Sequence, residues 1–304
     1  MFLTSSQYKK FLLSTPEVRS FFHPATHTVS HVVADPASQR AVIIDSVLDY
    51  EPASATVSQE SADAIIEYVI DKGYSVEWIL ETHIHADHLS AAQYLKERLG
   101  GQIAIGENIT SVQEIFGNVF GEGPDFLRDG SQFDRLWKDS DSFTVGDIPA
   151  MVLHTPGHTP ADVCYLIGNA LFVGDTLFMP DYGTARVDFP GGNANTLYQS
   201  VQKIFALPEA IRIFLCHDYL PSGRTEFAWE TSVKEEKENN IHLNKTTIIE
   251  DFVRMRSQKD ATLGMPQLII PSIQVNMRAG ALPKDDASGR TFLKIPANGL
   301  FSKK

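Results

Sequence analysis

The sequence has few cysteines and no long apolar run, and both shortages limit what the protein can be. Only two of its 304 residues are cysteines, Cys164 and Cys216, so a disulfide framework is not expected. Each lies in an apolar, strand-like run, which favours a small buried side chain; whether either thiol is reactive stays open. No apolar run approaches the roughly 18 to 20 residues that a membrane-spanning helix needs.

Positive charge is also scarce. The chain has 26 Lys and Arg against 38 Asp and Glu, a formal net charge of −12. Nucleic-acid binding through phosphate contacts needs a basic footprint, so a DNA or RNA partner is not expected. The N-terminus lacks a clean apolar stretch that ends in a small-residue cleavage site. Together these absences predict a cytoplasmic protein that binds neither nucleic acid nor membrane.

Strand-like runs alternate with helical patterns along much of the chain. The strand-like runs occupy residues 29–34, 41–45, 76–82, 102–105, 150–154, 163–167, 170–174 and 211–216. Helical spacing of apolar residues appears over residues 61–73 and 90–101, and each segment ends at glycine. This alternation favours an α/β fold in which helices cover the sheets.

The remaining segments suggest one domain with additions at its ends. We expect a single domain over residues 1–304, with a helical extension at 1–20 and a C-terminal segment, 221–304, that packs on the core. Residues 117–141 are rich in Gly, Asp and Ser and predict an ordered loop. The charge run at 233–240 predicts a solvated helix face.

Potential metal ligands follow four of the predicted strands. The sequence THIHADH, residues 82–88, comes directly after one strand, and further candidates follow the strands that end near residues 154, 174 and 216. The full set is His83, His85, Asp87, His88, His158, Asp175 and His217. In α/β proteins function gathers where loops leave the strand ends. Burying so many ionisable groups without a cation would be costly, so the sequence predicts a metal site.

Other histidines and acids have simpler explanations. His23, His27, His31 and His242 are by default structural or surface residues, and His154 is expected to be a core residue or a group that supports the ligands rather than a ligand. Asp45, at the end of a predicted strand, is expected to stabilise the ligand loop. The glycines of the region are expected to form turns that let the backbone approach the site; they are Gly157, Gly174, Gly191 and Gly192.

The HxHxDH pattern of residues 83–88, with the three later ligands, resembles the metallo-β-lactamase superfamily. The resemblance implies an αββα sandwich, two mixed β-sheets flanked by helices. In dinuclear members His83, His85 and His158 would hold one ion. Asp87, His88 and His217 would hold the other, and Asp175 would bridge the two.

Segments outside the ligands resemble one branch of that superfamily. Residues 174–192, the HDY at 217–219 and residues 261–280 are similar to the persulfide dioxygenases, above all the bacterial β-lactamase-hydrolase-like sulfur dioxygenase group. That likeness implies a homo-oligomeric enzyme that oxidises glutathione persulfide with O2 to sulfite and glutathione in sulfide detoxification. It also implies one Fe(II) per chain, held by the catalytic residues His83, His158 and Asp175.

The same likeness assigns substrate contacts. Arg186 and Tyr219 match positions that contact glutathione, and Asp188 is expected to anchor backbone amides and aim Arg186. A further basic position of some relatives falls on His242 here, a change for which Lys237 or Arg224 could compensate. The remaining candidates would orient ligands and waters around the iron or bind a second ion; they are His85, Asp87, His88 and His217.

Two other functions stay open. The complete ligand set also fits a dinuclear zinc hydrolase of the glyoxalase II type, which acts on a glutathione thioester and holds one or two Zn(II) per chain. A sulfur- or metal-sensing protein that has kept the fold is a third, non-enzymatic alternative. A metal titration separates a mononuclear from a dinuclear site.

Overall fold

The computed structural model describes residues 5–284 and 287–301, with side chains from Tyr8 onward. Parts of the two predicted terminal segments, residues 1–4, 285–286 and 302–304, lie outside the described residues. The helices are α1 (Ser5–Leu12), α2 (Glu60–Lys72), α3 (Ala92–Leu99), α4 (Ile109–Val119), α5 (Ala194–Phe205), α6 (Val233–Asn239), α7 (Ile249–Asp260) and α8 (Ile269–Asn276). Within the described ranges, none of them has the length and apolar character required to cross a bilayer.

Fifteen strands in this part of the chain form three sheets. They are β1 (Glu17–His23), β2 (Thr28–Asp35), β3 (Arg40–Ile44), β4 (Val47–Glu51), β5 (Thr56–Ser58), β6 (Ser75–Leu80), β7 (Leu89–Ser90), β8 (Gln102–Gly106), β9 (Arg135–Trp137), β10 (Ser142–Val145), β11 (Ile148–His154), β12 (Val163–Ile167), β13 (Ala170–Phe172), β14 (Arg212–Phe214) and β15 (Glu230–Ser232). The first sheet has the order β1-β2-β3-β6-β8-β9 and the second β10-β11-β12-β13-β14-β15. A small third sheet, β5-β4-β7, was not predicted from the sequence.

Strand β3 shows how the layers form. Successive side chains of a strand point to opposite faces of the sheet. Ala41 and Ile43 therefore join a core shared with helix α2, whereas Val42 and Ile44 join a core between the two large sheets. Both faces of this strand are buried, which explains its continuous apolar run.

The helices lie outside the two large sheets. Residues of α2 and α3 pack with the first sheet in one core, and residues of α5 and α7 pack with the second sheet in another. The third core joins the inner faces of both sheets. The predicted αββα sandwich is confirmed.

The predicted helical extension at 1–20 is wrong beyond its first turns. Helix α1 ends at Leu12, and residues 17–20 belong to β1, which pairs antiparallel with β2 from Glu17 to His23. Pro16 precedes this strand and disfavours helical geometry in the residue before it. Phe21 then packs on the first core, so burial decides for a strand.

Two segments that the sequence predicted as a loop and a solvated helix face, 117–141 and 233–240, contribute regular structure and buried residues to the fold. Within the predicted loop 117–141, α4 continues to Val119 and β9 adds a parallel edge strand beside β8. The charge run at 233–240 does form a helix, but Glu236 and Asn240 are buried. Asn240 donates through Nδ2 to the Gly183 carbonyl at 3.1 Å and to Glu236 at 2.7 Å. The charge run is therefore not only a solvated face.

Three predicted strands end two residues early, and their last residues build the site. β6 ends at Leu80, β13 at Phe172 and β14 at Phe214. The amide of Thr82 donates to the Asp45 carboxylate at 2.8 Å instead of pairing with a neighbouring strand. At the start of the ligand loop after β6, a hydrogen bond to a side chain thus takes the place of a bond between strands.

Candidate metal centre

The ligand loop after β6 is fixed by one buried carboxylate. Asp45 accepts from both the amide and the hydroxyl of Thr82, each at 2.8 Å, and from His85 Nε2 at 3.0 Å. Asp45 has a left-handed backbone with φ of 52°, a conformation that Asp tolerates better than most residues. These contacts match its expected role of stabilising the loop.

Three of the predicted ligands converge at the ends of three different strands. Ligand atoms of His83, His158 and Asp175 all lie within 4.8 Å of one another. Asp175 Oδ2 is 3.9 Å from His83 Nε2 and 3.6 Å from His158 Nε2. Two imidazoles and one carboxylate therefore face a common point.

Hydrogen bonds set the tautomers of these imidazoles. His158 Nδ1 lies 2.8 Å from the Arg186 carbonyl oxygen, which can only accept, so Nδ1 carries the proton. The Thr82 hydroxyl donates to Asp45 and therefore accepts from His83 Nδ1 at 3.0 Å. In both rings Nε2 keeps its lone pair for a metal, the arrangement typical of metal-binding histidines.

His85 is held from the opposite side of its ring. Its Nε2 is 3.0 Å from Asp45 Oδ1 and 3.4 Å from Glu81 Oε2, and its Nδ1 has no hydrogen-bond partner among the described residues. Burial lowers the pKa of His85, but the neighbouring Asp45 and other partners outweigh burial and raise it well above its ordinary value. His85 thus offers Nδ1, not Nε2, as a ligand atom.

The other three candidates lie beside the first group. His217 Nε2 is 3.4 Å from Asp175 Oδ1 and 3.4 Å from Asp87 Oδ2. His88 donates through Nδ1 to the Leu89 carbonyl at 3.1 Å, which leaves its Nε2 free. His85, Asp87 and His88 also have ligand atoms within 4.8 Å of one another. The structure therefore brings all seven predicted candidates together.

The donor set fits a divalent transition-metal ion. Five buried ligand atoms have no hydrogen-bond partner among the described residues: His83 Nε2, His85 Nδ1, His88 Nε2, Asp175 Oδ1 and His217 Nε2. Leaving such atoms unpaired is costly, and a cation would satisfy them together. Burial lowers the pKa of His83 well below its ordinary value and that of His88 to about 3, so both rings stay neutral and able to bind a metal.

Two glycines permit the close packing around the centre. A Cβ on Gly174, whose φ is 51°, would lie 2.4 Å from the Thr82 hydroxyl oxygen. A Cβ on Gly157, whose φ is 147°, would lie 2.4 Å from the Leu197 Cα. Both positions require glycine, for the conformation and for the space.

A distant asparagine also holds the ligand loop, and sequence reasoning missed it. Asn276, at the end of α8, donates through Nδ2 to the carbonyls of His85 and His88, both at 2.8 Å. Its Oδ1 accepts from the Ser90 amide at 2.7 Å. The C-terminal segment therefore supports the metal centre directly. The sequence predicted that this segment packs on the core, but it gave no signal that Asn276 contacts the ligand loop.

The centre opens into a cleft of about 1240 Å³. One end of the cleft, here called the metal end, is lined by Asp87, His88, His158 and Asp175. The other, called the basic end, is lined by Arg186, His242, Arg256 and Lys259. A polar ligand with an anionic group fits this separation of donors and positive charge.

Arg186 lines the cleft, but its side chain is already engaged. Its Nε and Nη2 both donate to the Asp188 carboxylate at 2.6 Å, and its Nη1 donates to the Gly264 carbonyl at 2.6 Å. The guanidinium edge that was expected to grip a substrate carboxylate is therefore occupied by Asp188. As predicted, Asp188 aims Arg186, but it does so by a direct ion pair.

Tyr219 lies at the mouth of the metal end. Its ring stacks on His217 at 5.6 Å with an interplanar angle of 15°, and it is 36% exposed. It also meets Phe178 edge-on at 5.8 Å. Tyr219 can therefore contact a ligand in the cleft while it covers His217.

His242 is not merely a structural or surface histidine, because it lies buried at the basic end. Its Nδ1 accepts from the Thr184 amide at 2.9 Å, and its Nε2 lies 2.6 Å from Lys259 Nζ. Burial and the neighbouring cations lower the pKa of His242 to about 3, so the ring is neutral. Burial and Arg256 also lower the pKa of Lys259.

The basic residues proposed as compensation for His242 are not the ones that line the cleft. Lys237 pairs with Glu209 at 3.3 Å, and Arg224 pairs with Asp218 and Asp181. Lys259 is the basic residue that lies beside His242 in the cleft, and no carboxylate pairs with it in the part of the chain that the structure describes. It lies on α7, whose charged, weakly amphipathic sequence carries no signal of a binding site.

The chain matches the model of the metallo-beta-lactamase superfamily over residues 22–217, well over half of its length. It belongs to this superfamily. The superfamily match ends at His217, the last of the seven candidate ligands, so it covers the metal end but not the C-terminal residues of the basic end.

Curated relatives within the superfamily have different names. The chain is 50% identical to a probable metallo-hydrolase of Burkholderia pseudomallei over 93% of this chain and 99% of that one. It is 46% identical to glyoxylase B2 of Dictyostelium discoideum over 88% and 92% of the two chains. It is 30% identical to the mitochondrial persulfide dioxygenase ETHE1 of Homo sapiens over 86% and 88%.

A solved structure extends the likeness to the persulfide dioxygenases. The crystal structure of ETHE1 from Myxococcus xanthus aligns with a TM-score of 0.69 and 28% identity, over 87% of this chain and all of that one. Because the alignment covers more of the chain than residues 22–217, the similarity includes part of the C-terminal segment. The predicted resemblance to the superfamily and to its persulfide dioxygenase branch is confirmed.

Proposed function

We propose that the protein is an Fe(II)-dependent persulfide dioxygenase, which converts glutathione persulfide, O2 and water to sulfite and glutathione. One observation carries the proposal: the ligand atoms of His83, His158 and Asp175, two imidazoles and one carboxylate, all lie within 4.8 Å of one another. Two histidines and one carboxylate are the ligand set of non-haem Fe(II) oxygenases. The likeness to ETHE1 supports the same assignment.

In this proposal the three ligands hold one iron per chain. Fe(II) in such a set supplies redox chemistry and leaves coordination positions open for the persulfide sulfur and O2. His83 and His158 keep their Nε2 lone pairs available because Thr82 and the Arg186 carbonyl fix their Nδ1 protons. The protein therefore presents its ligands without first rearranging them.

The cleft positions the substrate between its two ends. The persulfide sulfur lies at the metal end, where Tyr219 and Phe178 cover His217 and limit access of water. A substrate carboxylate lies at the basic end, where Lys259 supplies the positive charge that has no carboxylate partner among the described residues. Arg186, neutralised by Asp188, contributes its remaining N–H groups and shapes the wall.

The test is O2 uptake by Fe(II)-loaded protein on addition of glutathione persulfide. We expect uptake that requires both iron and the persulfide, with sulfite as product. Plain glutathione and zinc-loaded protein serve as controls. Failure of verified iron-loaded protein to consume O2 would contradict the proposal.

A dinuclear zinc hydrolase of the glyoxalase II type is the second candidate. The observation that favours it is the second set of unpaired atoms, because His88 Nε2 and His217 Nε2 lie next to Asp87 and the free Oδ1 of Asp175. Two zinc ions could generate a hydroxide there for thioester hydrolysis. Two zinc ions per chain with rapid cleavage of S-lactoylglutathione would favour this function over the dioxygenase.

A further inference from the structure

Cys216 lies within the ligand cluster, although no metal-binding pattern in the sequence includes it. The ligand atoms of His85, Cys216 and His217 all lie within 4.8 Å of one another. All three residues are at most 1% exposed. A thiol therefore borders the same buried space as two imidazoles.

Both histidines of this trio have a ring nitrogen without a hydrogen-bond partner among the described residues. In His85 the unpaired atom is Nδ1, because Nε2 donates to Asp45. In His217 it is Nε2, because Nδ1 donates to the His27 carbonyl at 3.2 Å. A ring that donates one N–H to a carboxylate or carbonyl and keeps the other nitrogen free is typical of a metal ligand.

The backbone around Cys216 is held firmly. Its carbonyl accepts from the Val29 amide at 2.7 Å, and the preceding carbonyl, of Leu215, accepts from His31 Nε2 at 3.0 Å. His217 forms an isolated antiparallel bridge with Thr28. A thiol on a fixed segment is well placed to act as a ligand, because little order is lost when it binds.

The other cysteine shows what a purely structural thiol looks like in this fold. Cys164 Sγ lies 3.2 Å from the Thr155 hydroxyl and within weak hydrogen-bond distance of the Val173 carbonyl and the Thr176 hydroxyl. Its hydrogen-bond partners are two hydroxyls and one backbone carbonyl, and among the described residues it belongs to no group of potential metal ligands. Cys164 is therefore a natural control for Cys216.

We propose that His85, Cys216 and His217 form a second metal site, which takes a thiophilic divalent ion such as Zn²⁺ and adjoins the His83–His158–Asp175 set without sharing a ligand atom with it. Ligand atoms of one tetrahedral zinc ion lie roughly 3.3 to 3.6 Å apart, given Zn–N of about 2.0 Å and Zn–S of about 2.3 Å. The ligand atoms of the three residues lie within 4.8 Å of one another, so side-chain shifts of about 1 Å bring them to these distances. A sulfur ligand gives this site a preference for soft ions over Fe(II).

Ion binding at this site exchanges one bond for another. The Cys216 S–H bond breaks, a sulfur–metal bond forms, and the proton leaves to water. No oxidant or reductant is needed. The proposal stands independently of the dioxygenase assignment, since it concerns different ligand atoms and a different class of ion.

The test is a titration of the full-length protein with Cd²⁺, followed by near-ultraviolet absorption. A thiolate ligand produces a sulfur-to-cadmium charge-transfer band, whereas imidazole and carboxylate ligands do not. We expect a band that saturates at one thiolate site per chain. We expect Cys216→Ser to lose the band and Cys164→Ser to keep it.

Two results would overturn the proposal. They are cadmium binding without the band in the wild-type protein, and loss of the band in Cys164→Ser instead of Cys216→Ser. The first result would assign the second ion to oxygen and nitrogen ligands such as Asp87 and His88. Cadmium-113 NMR of the wild-type protein, whose shift separates sulfur from nitrogen and oxygen ligands, decides the matter if Cys216→Ser fails to fold. O2 uptake is measured separately, so failure of one proposal does not imply failure of the other.

Discussion

The two ends of the cleft are built in different ways. At the metal end, short motifs that follow strands supply the ligands, and hydrogen bonds with Asp45, Thr82 and Asn276 fix them. At the basic end, Arg186 pairs with Asp188 and Arg256 with Asp260. Lys259 contacts the neutral His242 and has no carboxylate partner among the described residues. The metal end is thus arranged before any ligand arrives, whereas the basic end keeps an uncompensated charge that an anionic ligand can satisfy.

Removal of a ligand at the metal end should have the largest effect. We expect His83→Ala to abolish iron binding and O2 consumption, since only one imidazole and one carboxylate of the set remain. Iron content and O2 uptake are measured together. His154→Ala is the matched control, because His154 lies off the cleft and bonds to the Trp137 carbonyl. Normal turnover by His83→Ala would contradict the assignment of the metal end.

Substitution of Asp45, which holds the ligand loop by hydrogen bonds, should reduce metal affinity by an intermediate amount. Asp45→Asn keeps the shape of the side chain but replaces one carboxylate oxygen by an amide, so the contacts to Thr82 and His85 weaken. Removing a partner of this kind typically costs about 10- to 100-fold in metal affinity or activity. Metal affinity measured by competition with a chelator checks this. An unchanged affinity would mean that the ligand loop is held without Asp45.

A change at the basic end should affect substrate binding more than turnover. We expect Lys259→Met to raise KM for glutathione persulfide about tenfold, as for loss of one partly solvated charge-assisted hydrogen bond, with kcat and iron content unchanged. Steady-state kinetics with Lys237→Met as control checks the effect, since Lys237 pairs with Glu209 instead of lining the cleft. A fall in kcat with constant KM would show that the two ends are not independent.

Removal of Arg186, also at the basic end, should raise KM by a smaller factor. Because Asp188 already occupies its bidentate edge, we expect Arg186→Ala to raise KM less than Lys259→Met does. The two KM values, measured on the same preparation of substrate, decide the order. The reverse order would mean that Arg186 exchanges Asp188 for the substrate carboxylate.

A last prediction concerns the stability of the fold behind the metal end and leaves catalysis aside. Burial lowers the pKa of His31 from 6.5 to about 4, so the unfolded chain binds more protons than the folded chain between these values. The stabilising contribution of neutral His31 is therefore complete above pH 6.5 and is lost as the pH falls toward 4. From pH 7 to pH 5 we expect wild type to lose about 2 kcal/mol more stability than His31→Gln. Urea unfolding at both pH values measures this, and equal losses would contradict it.

The sequence by itself determined where many of the strands lie and which residues are candidate ligands. Short continuous apolar runs predicted strands such as β3, and seven ionisable residues at strand ends pointed to one metal centre because they are expensive to bury without a cation. Its errors lay where tertiary contacts override local pattern. Residues 17–20 became a strand because they pair with β2, and Glu236 became buried because it packs under the Gly183 loop through Asn240.

Only the tertiary structure decided which side chains meet. Asn276 reaches the ligand loop, Lys259 reaches His242, and Cys216 reaches His85 from parts of the chain that share no local motif. The tertiary structure also turned the Arg186 fork toward Asp188. The physical reason is that local spacing and long-range packing determine different things. Spacing along a strand or helix fixes which face a residue occupies, whereas the packing of segments distant in the sequence fixes which residues that face contacts.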